Sequence, residues 1–135
     1  MRLRKAALKL LERERVCRVA TVGEGGTPHV VPVCHVVIEG KLYFGAASDS
    51  QKIRNLATTP QVAVLVDVYS EDWDRLAGVV VHGTARLIRR GPQFRSVRTH
   101  LYRKYPQYAT DAALEEGRSV IVEVTPTRAA TWGVE

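Results

Sequence analysis

From Val16 to Arg89 the chain repeats one pattern, in which a β-branched apolar run is followed by a glycine-bearing turn and then by another such run. Short strands joined by tight turns pair with their neighbours in sequence, so the pattern points to antiparallel hairpins closing into a barrel. Val16 to Val22 is the first run and Gly23-Glu24-Gly25-Gly26 its turn. Because Thr27-Pro28 and a strand follow that turn, and not a helix, its glycines read as hairpin punctuation and not as a nucleotide loop. His29 to Ile38, HVVPVCHVVI, is apolar on both faces. Pro32 removes one ladder hydrogen bond from it, which marks a bulge or the border of an opening. Glu39-Gly40 then turns the chain into Lys41 to Ala46. Gln61 to Tyr69 is a further buried strand, and Leu76 to Arg89 a long one bent at Gly78 and Gly83. Ser119 to Val124 and Ala129 to Val134 form a last strand pair.

Helical spacing is confined to a few places. Leu3, Ala7, Leu10 and Leu11 predict an amphipathic helix from Arg2 to about Glu14 that packs on its own domain. Pro92 opens a helix with Phe94, Val97, Leu101 and Tyr105 on one face, ending before Pro106, and Asp111 to Glu116 adds a shorter piece. The expected class is mainly β, an α+β antiparallel barrel with a few flanking helices.

The stretch Leu42 to Val68 is the one that looks built to hold a ligand. Its first strand ends in Gly45, Ala46 and Ala47, small residues that allow close approach by another molecule. Ser48, Asp49 and Ser50 can each cap a helix carrying Ile53, Leu56 and Ala57, which stops before Pro60. A helix start offers unpaired N–H groups, and here Ser48 and Ser50 add hydroxyls while Lys52 and Arg54 add cations. That is the chemistry of a phosphate site; a capped surface helix with two solvated bases is the plainer alternative.

Composition sets the outer bounds. The 135 residues suit a single domain over 1–135, with hydrophobic residues at 45% and charged residues at 25%. Twenty bases against 14 acids give +6, which admits anionic partners. A small anion is favoured over nucleic acid, since no basic run carries interleaved aromatics. Cys17 and Cys34 lie in no CxxC spacing and read as buried strand thiols of a reducing cytoplasm. No apolar run reaches the roughly 20 residues of a membrane helix, and a cytoplasmic protein is expected.

Chemistry-bearing motifs are absent from the sequence. His29, His35, His82 and His100 stand in no metal-ligand spacing, and there is no GxSxG elbow, Walker loop or dinucleotide fingerprint. No metal site is expected. Asp72 and Asp74 flank Trp73 on a loop and make a poor acid and base pair. An enzyme of this kind would take its chemistry from a bound cofactor.

The succession PHVVPV, LYFGAASDSQKIRNL, PQVAVLV and VVVHGTARLI resembles the split β-barrel flavoproteins typified by pyridoxamine 5'-phosphate oxidase, over about Val16 to Arg89. VDVYSEDWDRL resembles a branch of that superfamily assigned to the deazaflavin F420. The resemblance implies a six-stranded antiparallel split barrel, a homodimer, and a cofactor in each of two clefts at the subunit interface. FMN is the cofactor expected, with F420 the alternative. By position, His29, Val30, Val31, Pro32, Val33 and Cys34 would run along the ribityl chain and ring edge, mostly through backbone groups. Phe44 and Gly45 would lie beneath the ring, and Ser48, Ser50, Gln51 and Lys52 would meet the phosphate, with Asn55 a helper. Leu76, Ala77, Gly78 and Val79 of the second subunit would close the pocket, bordered by Trp132. The oxidase's arginine, lysine and C-terminal arginine-histidine pair for its pyridoxine-type substrate are missing here, so vitamin B6 oxidation is not expected. The function implied is an FMN-dependent oxidoreductase acting by hydride transfer at the ring's N5 edge on a small-molecule substrate, with no acid or base residue assigned. An F420-dependent reductase is one alternative, and a non-catalytic flavin carrier or sensor is the alternative of another class.

Overall fold

The computed structural model describes residues 1–134. Helices are α1 (Lys5–Arg13), α2 (Gln51–Thr58), α3 (Pro92–Lys104) and the single turn α4 (Tyr108–Asp111). Strands are β1 (Cys17–Val22), β2 (Pro28–Val33), β3 (His35–Ile38), β4 (Lys41–Ala47), β5 (Gln61–Val68), β6 (Ala77–Ile88) and β7 (Ser119–Trp132). They form one antiparallel sheet in the order β2-β1-β5-β6-β7-β4-β3.

That order puts β2 and β3 at opposite edges, yet one residue, Cys34, separates them in the chain. Adjacent Cα atoms lie about 3.8 Å apart, so the sheet must curl until its edges meet at Cys34. The expected run His29 to Ile38 is thus one strand in sequence but two in the sheet, its halves paired to β1 and to β4. The described residues form seven strands where the resemblance implies six.

The last strand pair is instead one continuous strand. β7 runs through Pro126 beside β6, with a register shift between His82 and Gly83 that takes up the proline's missing donor. Gly83 is required there, because a Cβ would collide with the Thr125 backbone. The short helix also falls elsewhere than expected, at Tyr108–Asp111 in place of Asp111 to Glu116.

Alternation decides the core. Cys17, Val19, Val62, Val64, Val66, Val79 and Val81 point inward with Leu42 and Phe44, and meet Leu10 and Leu11 of α1 and Ile53 and Leu56 of α2. α1 packs on β3 and β6, and α2 on β1 and β6, pairs of strands that are not neighbours in sheet order. Phe94, Val97 and Leu101 of α3 cover the outside of β3, β4 and β7 over Val36, Tyr43 and Ile121. The first half of β7 is therefore buried on both faces. No helix covers the outer face of β1, β2 and β5, where Val30 is 64% exposed.

Candidate functional site

Two strand edges lack partners where the barrel splits. β2 pairs with β1 along one edge only. β3 ends its pairing at His35 opposite Phe44, so Gly45, Ala46 and Ala47 of β4 bond to β7 alone. The two free edges diverge from Cys34, leaving a slot lined by unpaired backbone donors and acceptors.

β4 leads out of that slot through Ser48 to Ser50 into α2. Ser50 occupies the cap position, but its hydroxyl donates to the Ala47 carbonyl at 2.8 Å and no side chain caps the helix. The first-turn N–H groups of α2 are left without a side-chain acceptor. Lys52 stands half-buried beside them, its pKa lowered from the ordinary lysine value by that burial. Arg54 is already engaged, donating to the Asp49 carbonyl and to Gln51 Oε1.

A relay of amides ties this helix to the β1–β2 hairpin. Gln51 Nε2 donates to Asn55 Oδ1 at 2.7 Å, and Asn55 Nδ2 donates to Thr21 Oγ1 at 3.0 Å. Thr21 pairs across the ladder with His29, whose buried Nδ1 has no partner among the described residues. Asn55 is 4% exposed and both ends of its amide are engaged, which makes it a strut. An uncapped helix start, a half-buried lysine and an orphaned imidazole nitrogen fit a phosphate-bearing group.

The remaining expected residues lie apart from these. Leu76 precedes β6, Ala77 and Gly78 open it, and Trp132 closes β7 directly opposite Gly78. The indole lies so close over Gly78 that a Cβ there would overlap it. β1 and β5 stand between β2 and β6, so in one chain this group does not meet the slot. Val79 at 0% and Phe44 at 1% exposure both point into the core and present no surface. Val31 and Val33 face inward, while Val30 and Pro32 face out.

Three clefts border these elements. The largest, about 670 Å³, lies between the Gly23–Gly26 turn and Gln51, Arg54 and Asn55 of α2. A second of about 390 Å³ is lined by Val16, Cys34, Tyr105 and Tyr108, and a third of about 290 Å³ by Gly45, Ala46, Ala47 and Tyr108. Burial pushes Tyr105 and Tyr108 up to about 12, so both keep their protons at neutral pH. Sequence reasoning missed these tyrosines as lining residues; three tyrosines, 102, 105 and 108, crowded around Pro106 were the available signal. Among the described residues no group of histidine, cysteine and carboxylate side chains could hold a metal.

Residues 3–133 match the family described as pyridoxamine 5'-phosphate oxidase. A 5a,11a-dehydrotetracycline/5a,11a-dehydrooxytetracycline reductase of Streptomyces rimosus is 32% identical over 123 residues, covering 87% of this chain and 74% of the relative. Among solved structures, a conserved hypothetical protein from Mycobacterium tuberculosis superposes with a TM-score of 0.79 at 22% identity, over 98% of this chain and 89% of that one. An F420 reductase superposes with a TM-score of 0.76 at 24% identity, over 95% of this chain and 98% of that one. At these identities the two structures share the fold.

Proposed function

This chain belongs to the pyridoxamine 5'-phosphate oxidase family, and we propose from that premise that it is a cofactor-dependent oxidoreductase whose cofactor occupies the split of the barrel in a homodimer. The observation that carries the reading is the slot itself, two unpaired strand edges that open beside the uncapped start of α2.

In this reading the first-turn N–H groups of α2, Lys52 and the hydroxyls of Ser48 and Ser50 hold the phosphate, Ser50 by turning its hydroxyl from Ala47. Gln51 and Asn55 keep α2 seated on the hairpin, and His29 offers its free nitrogen nearby. The free edge of β2 from His29 to Cys34 holds the polyol chain and the ring edge by backbone hydrogen bonds. FMN, when bound, supplies hydride transfer at N5. F420 is the second reading, favoured by VDVYSEDWDRL and by the name of the F420 reductase of like fold. The name of the Streptomyces relative favours reduction of an unsaturated ring substrate.

A second copy completes the cleft. Val30, Ala20 and Ala63 form one outward row across β2, β1 and β5, and Pro32, Arg18 and Leu65 form the next, where Arg18 is ion-paired to Asp67 at 3.2 Å. An uncovered sheet face with an apolar row beside an ion pair is suited to a self-complementary contact. Burying it against a partner would bring that copy's Leu76, Ala77, Gly78 and Trp132 to the open side of the slot.

The test is equilibrium titration of the full chain with FMN and with F420 at identical salt, with the stoichiometry read from the same data. One cofactor per chain is expected, FMN the tighter. F420 binding at least tenfold tighter, about 1.4 kcal/mol, would exchange the two cofactors, and binding of neither would remove the reading.

A further inference from the structure

We propose that the groove beneath α4 is the substrate site of this chain, and that it takes a planar, largely apolar molecule carrying a carbonyl oxygen directed at the Tyr108 hydroxyl. The assignment deepens the oxidoreductase reading and rests on it for the word substrate.

The clefts of about 390 and 290 Å³ adjoin at Tyr108 and Ala112, one reaching Cys34 and the other Gly45 to Ala47, and together they are treated as one groove. It therefore runs alongside the open edge of the barrel slot. Val16, Cys34 and Ala112 give it apolar lining, and Arg15, Gln107 and Asp111 give it polar lining. Slots of this size and character take small molecules by apolar contact, with a few polar groups setting orientation.

Tyr105 and Tyr108 line the groove with Tyr102 stacked on Tyr108, and two of the three have their hydroxyls engaged. Tyr105 accepts from the His35 N–H at 3.0 Å and faces the Arg15 and His35 carbonyls, each at 2.8 Å. Tyr102 accepts from the Leu114 N–H at 2.9 Å. The Tyr108 hydroxyl has no hydrogen-bond partner among the described residues, although its ring lines both clefts. That ring is clamped, stacked on Tyr102 at 6.0 Å between centroids and edge-on to Tyr105 at 5.9 Å. The Tyr108 hydroxyl is reached by solvent and is not a buried orphan, so a carbonyl on a flat ring system can take the place of water on this held donor while the ring system covers the apolar lining.

The probe pair is 9-fluorenone and fluorene, planar molecules that differ by one carbonyl, titrated into the full chain without cofactor and followed by amide chemical shifts. Fluorenone is expected to bind the tighter of the two. Tyr108→Phe should weaken fluorenone about 3- to 10-fold and leave fluorene unchanged. Ala112→Trp, at an exposed position that fills the groove, should weaken both at least tenfold. Absence of fluorenone binding, equal loss of both probes in Tyr108→Phe, or binding untouched by Ala112→Trp would overturn the assignment. Failure of FMN and F420 to bind in their own titration would remove the oxidoreductase reading and leave these probe results standing.

Discussion

Lys52 is the residue on which the phosphate reading leans most. Its burial already disfavours the charged form, a cost that a bound phosphate would offset. Lys52→Ala is expected to weaken cofactor binding by about 1 to 3 kcal/mol, the range of a charge-assisted hydrogen bond, with little loss of fold stability. Wild-type affinity in a titration of the variant would put the phosphate elsewhere. At this scale the sequence was readable where a residue type has one dominant use, as in SDSQK opening a helix. It was not readable where geometry redirects a side chain. Ser50 stands at the cap but bonds Ala47, Asn55 is a strut to Thr21, and Phe44 turns into the core because β4 alternates about a buried face.

Among elements, the contact joining β4, β6, β7 and the start of α3 is centred on Glu123. Its carboxylate is 5% exposed and accepts from Tyr43 at 3.0 Å, from Arg86 at 3.1 Å and from Gln93 at 3.0 Å. Burial pushes that carboxyl up, but the Arg86 and Tyr43 hydrogen bonds outweigh it and hold the group below the usual glutamate range. Glu123→Ala leaves three donors without their acceptor, and a loss of about 2 kcal/mol in urea unfolding is expected. A loss below about 0.5 kcal/mol would mean that water replaces the carboxylate. Strand identity was legible because β-branched runs and glycine turns act locally. Strand continuity was not. The break at Cys34 and the unbroken course of β7 through Pro126 depend on partners distant in sequence.

For the whole molecule, closure of the barrel buries His35 at its seam, 0% exposed, with Nε2 at 2.7 Å from the Leu11 carbonyl. Burial, helped by the Lys104 charge, lowers its pKa from 6.5 to about 4. Between those values the unfolded chain binds a proton at this site that the folded chain does not, so stability is full above pH 6.5 and falls as pH drops toward 4. From pH 7.5 to pH 5 the expected loss is about 2 kcal/mol. His35→Gln should flatten that part of the curve, and an unchanged slope would assign the acid sensitivity to other groups. The same closure leaves the outer face of β1, β2 and β5 bare and separates the two groups of expected cofactor residues by two strands. In the proposed function one chain walls only part of the cleft and two chains share it. Sedimentation of the protein with its tighter cofactor, followed at the cofactor's own absorbance, tests this most directly. Cofactor is expected to travel with a species of two chains at one cofactor per chain; cofactor bound to a single chain, or none bound, would overturn the shared cleft.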